Sequence, residues 1–140
     1  MKKLLFIICC SLFIAPAMAA MPPLQATVGY IIDGDTFSAG VKLENGAEIS
    51  VRVRIINIDA PEIHGMCDAE IKMAQKAKYE LEKLIPVGGA VMLSEIKDDK
   101  YLGRIDARVR TADNTDVGQV MIDRKLARKY SGGRRAGWCN

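Results

Sequence analysis

Residues 47–58 alternate as a strand does and then run into two acids separated by Ala-Pro. Ile49, Val51, Val53 and Ile55 share one face, while Arg52 and Arg54 point the other way. Ile56 and Ile58 then continue the arginine face, so that face changes from polar to apolar partway along. Successive side chains on a strand point to opposite sides, so this strand is covered on one side at its start and on both near its end. That change fits a small barrel, whose strands bend and close, better than a flat sheet.

The rest of the chain supplies partners for such a strand. Residues 26–32 and 36–43 read as strands, with the turn chemistry of Asp33-Gly34-Asp35 between them. Asn45-Gly46 is a two-residue hairpin signal leading into the long strand. After Pro61 and a short loop, Asp68 is an N-cap candidate for a helix that runs from 69 to 84 or 85. Met73, Ala77, Leu81 and Leu84 form its apolar stripe, with Ala74 and Ile85 beside it, and Pro86 and Gly88-Gly89 end it. Residues 90–96 and 103–110 read as strands, and 116–124 as a short helix. The order β-β-β-α-β-β-α predicts a mainly β, α+β domain: a five-stranded antiparallel Greek-key barrel of the OB type with two helices, a form that commonly binds oligonucleotides on one face.

The first residues are read apart from the fold. Lys2 and Lys3 precede an apolar run from 4 to 14 broken only by Ser11, and Ala17-Met18-Ala19 has the A-x-A pattern of a cleavage site. Residues 1–19 are therefore expected to be a secretory signal peptide. The run is too short to span a membrane, which takes roughly 20 residues. Residues 20–140 are then one domain, periplasmic or secreted, with no stable membrane association after cleavage. Residues 20–99 hold eight Lys or Arg against thirteen Asp or Glu, and residues 100–140 hold ten against four. An acidic half can hold a cation and a basic half a polyanion; solvated faces that happen to segregate give the same count. Outside the signal two cysteines remain, Cys67 and Cys139. In an oxidising compartment two thiols usually pair, closing a loop of about 70 residues worth on the order of 4 kcal/mol in the chain-entropy account. One histidine, His64, and two distant cysteines do not make a zinc set.

Asp35 precedes one expected strand and Asp59 ends another, and a small barrel can bring such ends together. Two carboxylates, a backbone carbonyl such as that of Ala60, and waters make a calcium-type oxygen cage. Glu62, stiffened by Pro61, could orient or deprotonate a water. Arg54 lies among apolar residues, where a bare charge is costly, so it needs either a structural carboxylate or a bound phosphate. Arg104 has the weakest spacing signal of the set.

Together, Asp33-Gly34-Asp35-Thr36, Arg54 with Asp59-Ala60-Pro61-Glu62, and Lys100-Tyr101-Leu102-Gly103-Arg104 resemble the motifs of the thermonuclease, or staphylococcal nuclease-like, family. They stand in the family's order, with its helix between the second and third. The resemblance implies an OB-fold nuclease that uses calcium to cut DNA and RNA without sequence preference. It places calcium on Asp35, Asp59 and the Ala60 carbonyl, makes Arg54 and Arg104 the phosphate-binding pair, and makes Glu62 the general base. Tyr130 falls where the family has aromatic residues beside a nucleotide base; with Arg128, Lys129, Arg134 and Arg135 it would guide a strand, single strands being favoured, or else pack beneath the tail. A monomer is expected. Lys125 stands at a helix end that favours glycine. A Cys67–Cys139 link is expected to fasten the Gly-rich tail in place of the third helix of longer members. The competing reading is an OB barrel that grips single strands without cutting them.

Overall fold

The computed structural model describes residues 21–139, so the expected signal peptide lies outside the described residues. Five strands close a barrel: β1 (Leu24–Ile31), β2 (Thr36–Lys42), β3 (Glu48–Ile55), β6 (Arg104–Thr111) and β5 (Ala90–Asp98), in that order around the ring. The Asn45-Gly46 hairpin joins β2 to β3, with Gly46 at φ +82°, a conformation that costs a residue without a Cβ little. Four of the five seams are antiparallel, but β3 and β6 pair in parallel, placing Arg52 opposite Arg104 and Arg54 opposite Asp106. The all-antiparallel expectation fails on parity, since strand direction cannot alternate all the way round a ring of five.

The long strand expected over 47–58 is also interrupted. It stops at Ile55, and Asn57 takes a left-handed φ of 64° that an asparagine tolerates better than most residues. The chain then re-enters an extended form as β4 (Ile58–Asp59), which pairs outside the barrel with β7 (Arg128–Lys129), an element the sequence did not signal. Of the alternating face, Val53 and Ile55 are buried, whereas Ile49 is exposed near the hairpin.

Helix α1 (Asp68–Leu84) sends Ala77 and Leu81 into the core and meets the turn after β1, and α2 (Val117–Asp123) packs mainly against β6. The N-cap of α1 is Cys67 rather than Asp68. Its buried side carries Glu70, Ala74, Ala77 and Leu81, so the stripe is rotated from the expected one and Met73 is exposed. Phe37, Ile55, Ile58, Leu81, Leu93 and Met121 fill the centre. Lys125 adopts φ 58° after α2, the left-handed geometry expected there. Among the described residues no helix is long and apolar enough to cross a membrane.

Gly34 is where the Asp33–Asp35 turn meets α1. A Cβ at Gly34 would lie 2.6 Å from the Ala77 Cβ and 2.9 Å from the Ala60 Cβ. Gly34→Ala should therefore destabilise the protein by roughly 1–3 kcal/mol, the usual cost of overpacking, read as a lower denaturant midpoint with an unchanged slope.

Candidate nuclease site

The β2–β3 register builds the first part of the site. Thr36 pairs with Arg54, which sets the Arg54 side chain beside Asp35 at the mouth of β2. Asp35 is almost wholly buried and both its oxygens are engaged. Oδ1 accepts from Arg54 Nη1 at 3.0 Å and from Thr36 Oγ1 at 2.8 Å, and Oδ2 accepts from the Ala60 N–H at 3.0 Å. Arg54 Nη2 also donates to the Ile58 carbonyl at 3.2 Å. The partner that the sequence required for Arg54 is thus a carboxylate within the protein.

Asp59, equally buried, comes from β4. Its Oδ2 accepts from Arg128 Nε at 3.0 Å and Nη2 at 2.8 Å. Its Oδ1 faces Arg135 Nε at 3.3 Å, near enough for charge pairing, yet it has no hydrogen-bond partner among the described residues. A buried carboxylate oxygen without a partner is costly. The orphaned oxygen of Asp59, with the buried Asp35 carboxylate in the same acidic cluster, is the kind of hard oxygen donor that a divalent cation takes.

Glu62 stands at the surface just beyond. Its Oε1 accepts from Arg135 Nη1 at 2.6 Å, and its N–H donates to Glu70 Oε1 at 3.3 Å. Arg104 opens β6 opposite Arg52. It donates through Nε to Asp99 Oδ2 at 2.8 Å and stacks on the Tyr101 ring at 4.5 Å. Partial burial works to raise the Asp99 carboxyl, but the Arg104 guanidinium and the Tyr101 amide outweigh it and hold the acid below its usual range. A polar cleft of about 540 Å³ brings Glu62, Arg52, Lys100, Tyr101, Arg104 and Arg135 together. Arg54 opens on a neighbouring groove with Lys97 and Asp106, and Tyr130 borders both spaces. The Tyr130 hydroxyl donates to the Gly133 carbonyl at 2.7 Å. Lys129 lies exposed on β7, whereas Arg128 turns inward to Asp59, to the Gly137 and Ala136 carbonyls, and under the Trp138 ring.

Three further residues complete this cluster: Asp33, which the sequence shows only as part of a turn, Arg135, which it shows only as a strand-guiding residue of the tail, and Glu70, which escaped sequence reading. Asp33 faces the same acidic group: burial first, then the charge of Asp35, push its carboxyl up to about 7, although the Asp35 N–H donates to it at 3.1 Å and opposes the shift. Arg135 arrives from the tail. Partial burial works to lower its pKa, but the carboxylates of Asp59, Glu62 and Asp35 outweigh that and raise it. Glu70 is a buried acid within α1 whose Oε2 accepts from the Met66 N–H at 2.9 Å and lies 3.5 Å from Cys139 Sγ. The Cys67 and Cys139 sulfurs are 2.19 Å apart, with their Cα atoms at 5.9 Å. Gly65 leaves room for the Glu70 carboxylate, which would lie 2.5–2.7 Å from a Cβ there. Reaching back to amides before a helix is capping-box chemistry, and a glutamate three residues after Cys67 was the available signal.

The family described as staphylococcal nuclease homologue matches the chain over residues 52–136. No curated protein matches it.

Glu70→Ala removes the acceptor that holds the loop between Glu62 and Met66. It should cost about 1–3 kcal/mol in thermal or denaturant unfolding, the usual penalty for stranding buried donors. Hydrogen exchange at the Met66 amide should rise with it.

Proposed function

The chain belongs to the staphylococcal nuclease homologue family, and on that premise we propose that it is an exported, calcium-dependent endonuclease that hydrolyses DNA and RNA without sequence preference. The observation that carries the reading is the joint placement of Glu62 and Arg104 in one polar cleft, beside the buried Asp35–Arg54 pair and the orphaned oxygen of Asp59.

Asp35, Asp59 and the carbonyl of Ala60 are the groups that would hold calcium. Bound there, calcium would supply Lewis-acid stabilisation of the charge that grows on a phosphodiester under attack. The chain's own residues do the remainder. Arg54 and Arg104 present planar guanidinium forks that match phosphate oxygens, so they grip the scissile group and oppose its developing charge. Glu62 lies at the surface of the cleft, where it can take a proton from the attacking water. Tyr130 offers a ring for a base and Lys129 a charge for the backbone of a single strand. Arg128 supports this role indirectly, by holding Asp59 and the tail.

Export rests on the reading of residues 1–19, with 20–140 as the mature monomeric domain. The same compartment would keep Cys67 and Cys139 paired as a disulfide, for which their adjacency is the support. Mass analysis of the secreted protein should find Ala20 as the first residue and a Cys67–Cys139 cross-linked peptide before reduction.

The mature protein should degrade single-stranded DNA in calcium and leave it intact with excess chelator. Equal amounts of intact substrate in both tubes, with the strand still retained by the protein, would favour the binding-module reading instead. Glu62→Gln should lower the rate by roughly 10²-fold or more while the protein stays folded by circular dichroism, and Arg54→Lys, which keeps a positive charge beside Asp35 but loses the planar fork, should lower it similarly.

A further inference from the structure

Arg135 lies 76 positions along the chain from Asp59, on a tail segment without regular structure, yet it bridges the two carboxylates that matter most. Its Nε lies 3.3 Å from Asp59 Oδ1 and its Nη1 lies 2.6 Å from Glu62 Oε1. We propose that Arg135 is a built-in competitor for the divalent cation: tethered through Cys139 to Cys67, it occupies the charge position at Asp59 and Glu62 until a cation displaces it. The inference rests on the calcium-dependent reading above and specifies how that site is regulated.

Both ends of the tail segment are anchored. On one side Tyr130 donates its N–H to the Asn57 carbonyl at 3.0 Å, and on the other the Cys139 sulfur meets Cys67. Between the anchors, Gly132 and Gly133 take positive φ values, and a Cβ at Gly137 would meet nothing within 4 Å. The backbone is also held in its middle, where the Gly133, Ala136 and Gly137 carbonyls accept from Tyr130 and Arg128, so the part that can swing off the carboxylates is the half-exposed Arg135 side chain. A tether of this kind raises the effective concentration of the guanidinium to the millimolar range without adding any contact. A guanidinium and a divalent cation cannot share one carboxylate oxygen at contact distance, because like charges repel there. Mutually exclusive binding follows.

The displaced side chain keeps a use. Arg135 borders the cleft that holds Arg52, Lys100 and Arg104, so a polyanionic strand gives it a second partner. Linkage then requires the strand to tighten cation binding and the cation to tighten strand binding. The side chain of Arg135 is more than a third exposed, so its removal leaves no hole in the core.

The test is calcium affinity measured by titration calorimetry on the full mature chain without nucleic acid. Arg135→Ala should bind calcium on the order of tenfold more tightly than wild type, within the usual range of coupling between competing sites. Arg135→Lys, which keeps the charge, should stay close to wild type. The Cys67→Ser/Cys139→Ser pair, which releases the tether, should fall between wild type and Arg135→Ala; circular dichroism checks that it folds. An affinity for Arg135→Ala equal to or weaker than wild type overturns the competitor while leaving the nuclease reading standing. A wild-type protein that takes up no calcium at any concentration overturns both.

Discussion

The burial of Asp35 organises the rest of this structure. A carboxylate with almost no water contact must find its hydrogen bonds inside the protein, and each of its partners comes from a different place. Thr36 starts β2, Arg54 comes from β3, and the Ala60 amide comes from the segment after β4. One side chain therefore ties the mouth of the hairpin to the loop that carries Glu62. Removing any partner would leave a buried charge short of a donor, which costs more than the contact itself contributes.

Asp59 extends the same constraint to the other end of the chain. It is as buried as Asp35, but its cationic partners, Arg128 through hydrogen bonds and Arg135 through charge alone, lie some seventy positions later. The short β4–β7 pairing and the Cys67–Cys139 contact exist in a geometry that delivers those arginines. Glu70 joins the two systems, since it holds the amides of Glu62 and Met66 and lies against Cys139. The acidic cluster and the basic tail, which look like separate halves of the sequence, form one electrostatic unit.

How much of this was legible varied with how local the cause was. The Asn45-Gly46 turn, the β-β-β-α-β-β-α order of the main elements and the joint motifs around Asp35, Arg54, Asp59, Glu62 and Arg104 depend on neighbours in sequence, and they could be read there. Of the helix stripe, Ala77 and Leu81 are buried as their spacing implies, but its first turn is Glu70 and Ala74 rather than Met73, because a buried glutamate hides an inward position behind a charged side chain. The split of the long strand at Asn57 and the pairing of β4 with β7 left no periodic trace, as two-residue strands have none. Arg128 could be read as a basic residue available to a strand of nucleic acid, and nothing near it in sequence announces that it turns toward Asp59.

The sequence by itself determined the alternation of buried and exposed residues, the turns, and the chemical kinds of group available: oxygen donors for a hard cation, guanidinium forks for phosphate, and two thiols. Those follow from side-chain chemistry and short spacing. Only the tertiary structure decided which acid faces which arginine. Closing five strands forces one parallel seam, and that seam sets Arg52 against Arg104 and Arg54 against Asp106. Arg135 reaches Asp59 and Glu62 because the tail is fastened at both ends, and such contacts between residues dozens of positions apart are fixed by where the barrel brings the chain back.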